Sequence, residues 1–327
     1  MGQGWAFYAC RKKPEIVRRE PFTEAQKILT DPEALEMIWF ALKTNPPGTK
    51  MRWDKLIDVA NRLIEPTEEE PDPIRLNIDR ATMKEILIEI YKNTTSASAE
   101  SLKLMRELIP IFYDKHTYDR AKKVAHFYRD QHDLKDDMYA YGEVDYEIFA
   151  TIYSKICRAF GQAEKGWFVD LGSGAGQLVY TAALISNPPL VKCYGVENVG
   201  SLLDRGSKRM VKWDINRNRI PSERRQIEFQ WIRNNFLENT HSWYDATMIF
   251  LNWTAFNTEQ VELMGELINQ TIEGVIVITT TRPIPNKDLE VLLQDRCKTS
   301  FGEVDVFIQE KMTLARDRPE RDFMAEI

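Results

Sequence analysis

Phe168-Val169-Asp170-Leu171-Gly172-Ser173-Gly174-Ala175-Gly176-Gln177 is the stretch that decides the fold. An apolar strand, Trp167–Leu171, carries an acid near its end and breaks into a glycine turn. That turn opens a helix over about Gly176–Ile185. Glycines here let the backbone turn tightly and approach a ligand with no side chain in the way. Outward from this loop, strand-like and helical runs alternate. Strands are expected at Val191–Val196, Ile227–Ile232, Ala246–Leu251 and Val275–Thr279, and helices at about Leu202–Asn216 and Thr258–Gln270. A last strand-rich segment, Val304–Gln309, is expected to supply the edge. Such alternation predicts an α/β, Rossmann-like, mostly parallel sheet with helices on both faces.

Upstream, Tyr146, Phe149, Ile152, Tyr153, Ile156 and Phe160 form one apolar helical stripe. Residues 1–140 read as a helical N-terminal domain and 141–327 as the ligand-binding domain. Apolar residues recur at helical spacing in Ala34–Leu42, Met51–Ile64 and Met83–Tyr91, and Leu102 to Arg129 reads as further helix. Asn45-Pro46-Pro47-Gly48 breaks the first pair, Pro66 to Pro73 is an acidic connector, and Asn93 to Ser98 is a polar turn. The chain has 327 residues, more than one core usually serves, so two domains are the default.

The net charge of −6 argues against a protein held to DNA mainly through phosphates. Cys10, Cys157, Cys193 and Cys297 form no CxxC pair, which argues against a structural metal or a disulfide framework. His116, His126 and His132 have no metal-ligand spacing. No membrane span or signal peptide is expected, and Gly2 lacks the Ser or Thr that myristoylation wants, Ala6 standing there instead.

The loop spacing is GxGxG, not the GxGxxG of pyrophosphate binders. S-adenosyl-L-methionine has no phosphate and needs a close loop without a phosphate cradle. Asp170 suits its methionine amino group. Glu197, ending Tyr194-Gly195-Val196-Glu197, suits a ribose diol, since a carboxylate accepts two hydrogen bonds. Asn235 and Phe236 follow the third strand, where an amide and a ring suit adenine. The fourth strand ends in Phe250-Leu251-Asn252-Trp253-Thr254-Ala255-Phe256, at the sheet edge where ligands sit. Asn252 is expected near the reacting methyl group, with Trp253 and Phe256 walling an apolar channel.

Together these segments resemble the disruptor-of-telomeric-silencing (DOT1-like) family of non-SET histone lysine methyltransferases. The resemblance is carried, in order, by Tyr141-Gly142-Glu143, by Val169 to Gln177, by Gly195-Val196-Glu197, by Asn235-Phe236, and by Asn252 with Ala255 and Phe256. It covers about residues 75–312, with a stretch from roughly Leu102 to Tyr139 that looks inserted. It implies a class I methyltransferase sheet. Its S-adenosyl-L-methionine site would be made by Tyr141, Gly142, Glu143, Val144, Phe168 to Gln177, Glu197, Asn235 and Phe236. The implied acceptor is a lysine in the globular core of histone H-three on the nucleosome, in the nucleus. Val144 stands where the family has Thr, Asn235 where it has Asp, and Trp253 and Thr254 where it has Asn and Phe. A channel tyrosine has no match near Val304–Ile308.

An apolar channel disfavours an ammonium ion, so a lysine there is kept neutral without a strong base. Two other readings compete. In one the chain is a catalytically weak paralogue that binds S-adenosyl-L-methionine and acts as a chromatin interaction module; in the other it methylates a non-histone protein. A basic stretch from Arg205 to Arg225 offers either a solvated helix face or a contact to nucleosomal DNA or an acidic partner.

Overall fold

The computed structural model describes residues 28–45, 52–63, 78–94, 97–114, 116–133, 141–162, 165–238 and 241–312. Gly2, Ala6, Cys10, Pro46 to Gly48, Met51, Ile64 and the connector Pro66 to Pro73 lie outside the described residues. Seven strands form one sheet in the order β3-β2-β1-β4-β5-β7-β6. They are β1 (Trp167–Leu171), β2 (Lys192–Glu197), β3 (Glu228–Arg233), β4 (Met248–Leu251), β5 (Ile276–Thr280), β6 (Leu289–Thr299) and β7 (Gly302–Lys311). The first five are parallel, and β7 runs antiparallel between β5 and β6. The fold is the Rossmann-like sheet that the sequence predicts, with helices on both faces.

The edge differs from expectation. The segment around Val304–Gln309 is an inner strand, and β6 is the edge. Glu290, Asp295, Arg296 and Lys298 interrupt the apolar pattern of β6, and a register shift between Val291 and Leu293 breaks its alternation. Charges and a bulge are how an edge strand avoids pairing with another chain.

Helices before the sheet are α1 (Pro32–Thr44), α2 (Arg52–Leu63), α3 (Arg80–Asn93), α4 (Ala99–Phe112), α5 (Thr117–Gln131) and α6 (Tyr146–Phe160). Asp31, Asp79, Ser98 and Asp145 cap α1, α3, α4 and α6 with side-chain oxygens on first-turn amides. Within the sheet region run α7 (Gln177–Ile185), α8 (Gly200–Lys208), α9 (Met210–Ile215) and α10 (Thr258–Ile268). The single helix expected over Leu202–Asn216 is two, because the Arg209 amide bonds Gly206 in a tighter turn. Among the described residues no helix is long and apolar enough to cross a membrane.

One hydrophobic cluster joins Ile38, Leu56, Ile86 and Leu108 of the early helices to Phe149 and Tyr153 of α6 and to Phe168 and Ile278 of the sheet. A second, with Val169, Leu251, Trp253 and Met264, fills the opposite face under α10. Polar bonds fasten the early helices as well. Arg52 of α2 pairs with Glu310 of β7, both side chains 3% exposed, and Trp53 Nε1 donates to the same carboxylate at 3.0 Å. The Tyr91 hydroxyl of α3 donates to Asp295 Oδ2 of β6 at 2.6 Å. Removing that hydroxyl in Tyr91→Phe is expected to cost about 1–2 kcal/mol, read as a lower denaturation midpoint with an unchanged m-value.

Candidate active site

Strand order reverses between β2 and β4, on either side of β1, and open α/β sheets hold ligands at the carboxyl ends of strands at such a point. A cleft of about 950 Å³, its open mouth included, lies there. The glycine loop forms one wall. Gly172 and Gly174 have φ of +79° and +54°, a conformation that costs other residues 1–2 kcal/mol. The amides of Gly172 and Ser173 both donate to Val196 O, and the Gly174 amide donates to Glu197 Oε2 at 2.8 Å. The loop is thus clamped to the end of β2.

Two buried acids face the cleft. Glu197 also accepts from the Val199 amide at 2.8 Å, which fixes its carboxylate and leaves lone pairs toward the cleft. Asp170 receives no hydrogen bond from the described residues. Burial first, and the Glu197 charge second, push its pKa up to about 8. Burial raises Glu197 as well, against the pull of its amide donors. A buried, unpartnered carboxylate beside a second one suits a cation or a strong donor.

Tyr141, Gly142, Glu143 and Val144 line the facing wall. The Tyr141 hydroxyl donates to Glu143, and burial raises both groups. This segment is held by the β6–β7 turn. Val144 bridges Thr299, the Ser300 amide donates to Glu143 O at 2.8 Å, and the Asp145 amide donates to Lys298 O at 3.1 Å. Asn235 Oδ1 is occupied by the Leu237 amide at 3.1 Å, and Phe236 lies over Gly172 with its ring 5.8 Å from that of Phe256. Asn252 lines the cleft. Its Oδ1 accepts from the hydroxyls of Thr280 at 2.7 Å and Thr254 at 3.2 Å, so its NH2 is the group left to face a ligand. Thr254, a departure from the family pattern, is therefore part of the network that orients Asn252.

Several expected residues sit elsewhere. Trp253 is fully buried in the core under α10, and its indole donates to Arg282 O at 2.9 Å, so it walls no channel. An aromatic after a buried strand packs inward more readily than it waits at a cleft. Phe168, Val169 and Leu171 face the two cores. Ala175 is buried, and Gly176 is turned to Trp231, whose ring lies 2.3 Å from where a Cβ would stand. Residues the sequence did not single out join the lining: Ala125 of α5, Leu178, Asn198, Val199, Leu202 and Phe250. Ala121 and Ala125 pack on Val199, just before α8, and on Leu202 within it, so α5 closes one end of the cleft.

The basic stretch is largely spent inside the molecule. Arg209 and Lys212 bond Phe112 O, and Lys212 also Ile111 O, at the carboxyl end of α4, where cations are favoured. Buried Arg224 bonds Ser186 O, Arg225 bonds Ile220 O, Arg217 bonds Arg225 O, and Arg219 pairs with Glu107. Arg205 and Lys208 make no side-chain bond to the described residues.

The sequence profile of the family described as "Histone methylation protein DOT1" matches residues 121–305, more than half of the chain. The match begins inside the stretch expected to be an insertion, and α5, where it begins, is a cleft wall. No curated protein matches. Among solved structures, TrmN from Thermus thermophilus is 14% identical, with a TM-score of 0.37, over 50% of this chain and 48% of that one. The tRNA methyltransferase TrmK of B. subtilis is 12% identical, with a TM-score of 0.34, over 45% and 61%. TrmK of M. capricolum, in complex with S-adenosyl-homocysteine, is 10% identical, with a TM-score of 0.32, over 45% and 62%. The chain thus spans about half to three fifths of the length of these structures.

Proposed function

Since the chain belongs to the histone methylation family DOT1, we propose that it is an S-adenosyl-L-methionine-dependent methyltransferase and that it methylates a lysine in the globular core of histone H-three on nucleosomes, in the nucleus. The observation that carries this reading is the convergence on one cleft of two buried acids, a glycine-rich loop and the Asn252 amide beside Phe250 and Phe256. The cofactor supplies a methyl group activated by a sulfonium. Asp170 and the backbone around Gly174 would hold its amino acid end, Glu197 its ribose, and Asn235 with Phe236 its adenine.

The chain's own part in the transfer is to orient and to desolvate. Phe250 and Phe256 exclude water beside Asn252, and an apolar surround keeps a lysine neutral. The Asn252 amide, locked by Thr280 and Thr254, positions the acceptor or the methionine end. Any contact to nucleosomal DNA rests on Arg205, Lys208 and the exposed sides of Arg217 and Arg219.

Asn252→Ala is expected to lower kcat at least about tenfold through lost orientation, with affinity for S-adenosylmethionine unchanged. Labelled-methyl transfer to nucleosomes, free histones and other basic proteins, followed by mass spectrometry, tests the reading. Transfer confined to a non-histone protein, or cofactor binding with no transfer at all, would replace it with one of the two competing readings.

A further inference from the structure

We propose that Tyr113, at the end of α4, is a positioning residue for the cofactor. Its hydroxyl pins the glycine loop in the shape that receives the ligand. The inference rests on the cofactor assignment and not on the identity of the acceptor.

The loop is a weakly determined piece of backbone. Gly172, Gly174 and Gly176 all take positive φ, so no side chain at those positions holds it. Its amides are held by the end of β2, through Val196 O and Glu197, and by one internal bond from Gly176 N to Ser173 O at 2.7 Å. Those bonds fix the half of the loop nearer β2. At the other half, the Tyr113 hydroxyl donates to Ala175 O at 2.9 Å, a bond buried from solvent. Among the described residues, Tyr113 is the one that reaches the loop from the helices before residue 133. On the cleft side of the loop, the hydroxyl of Tyr141 lies against the neighbouring Gly174, 3.2 Å from where a Cβ on that residue would stand. Tyr113 at Ala175 and Tyr141 at Gly174 therefore flank the loop, and moving Ala175 moves Gly174, its neighbour in the cleft wall.

Tyr113 is itself fixed. It is 6% exposed and caps the last turn of α4 through a bond from its amide to Ile109 O at 2.7 Å. The Arg209 guanidinium lies 4.2 Å from the centre of its ring and donates to Phe112 O next to it. Burial holds the Tyr113 hydroxyl in its protonated, donating form at any physiological pH. Tyr113 does not line the cleft, so its effect on a ligand must pass through the loop.

Tyr113→Phe keeps the ring and removes one oxygen. It is expected to weaken S-adenosylhomocysteine about tenfold by calorimetry, ~1.4 kcal/mol. The KM for S-adenosylmethionine should rise similarly, with kcat at saturation unchanged. Hydrogen exchange should quicken at the Ala175 to Leu178 amides and stay as in the wild type at β1 and β2. Arg209→Met should weaken binding less, since Lys212 still caps Phe112. The double variant should be no weaker than Tyr113→Phe alone, because both changes act through one contact. Wild-type affinity in Tyr113→Phe, strictly additive losses, or exchange that rises uniformly across the sheet would each overturn the proposal. Calorimetry needs no acceptor, so a wrong acceptor would leave this result standing.

Discussion

Gly174→Ala is expected to weaken S-adenosylhomocysteine at least about a hundredfold by calorimetry, the larger of two effects that follow from the loop. At φ +54°, any side chain costs 1–2 kcal/mol before it touches anything. An alanine Cβ there would also stand 2.8 Å from Tyr141 Cε2 and 3.2 Å from its hydroxyl. Tyr141 cannot step aside cheaply, because its half-buried ring packs beside Tyr118 and its hydroxyl is bonded to Glu143. Either the ring or the loop yields, and both are cleft walls. The Gly174 amide that steadies Glu197 moves with the loop. A ring or loop that has yielded in the free protein must be driven back before the ligand can seat, and restoring both walls is expected to cost at least the ~2.7 kcal/mol that a hundredfold requires. Gly200→Ala is the control. Its Cβ would meet the Arg233 guanidinium at 2.8 Å, the far end of a flexible chain, and its φ is ordinary, so affinity should stay within about threefold. Near-wild-type binding by Gly174→Ala would contradict this account of the cleft.

The second large effect is a dependence of affinity on pH. With its pKa pushed up to about 8, mainly by burial and then by Glu197, Asp170 holds a proton at neutral pH when no ligand is bound. A cation bound beside it favours the carboxylate, so binding expels that proton below about pH 8. Affinity for S-adenosylmethionine should then rise by up to about tenfold per pH unit from 6 toward 8 and flatten above. Stability without ligand runs the other way. In the unfolded chain an aspartate ionises near 3.9, so between about 4 and 8 the folded form holds the extra proton. The ligand-free protein loses this contribution to stability as pH rises through that window, and the loss levels off above it. Calorimetry from pH 6 to 9, in buffers of different ionisation heat, counts the released proton directly. Asp170→Asn should flatten the profile. An affinity that does not change across this range in the wild type would rule out the coupling.

Much of this was legible in the residues. The β1 strand, the glycine turn and Glu197 announce themselves locally, since an apolar run, a bare turn and a strand-end acid need no distant partner to be read. Five parallel strands follow from apolar runs at the right spacing. The failures share one cause: they concern which way a side chain turns, or which remote element meets it. Its neighbourhood in sequence places Trp253 on the cleft, whereas the volume under α10 claims its ring. Gly176 reads like its sister glycines, but the Trp231 ring needs its bare Cα. Tyr113 and Ala125 carry no local mark of function at all. They reach the site only because α4 and α5 pack across α7 and α8. The edge strand β6 escaped notice because the charges that protect it also mask its alternation.

The bonds from Val144, Glu143 and Asp145 to the turn between the last two strands tie the ligand cleft to the far rim of the sheet. Free energy shared between two places is shared in both directions. Whatever peels that rim away lowers the grip on the cofactor, and an occupied cleft hardens the rim in return. An outer margin of the sheet thus doubles as a gauge of whether its centre is filled.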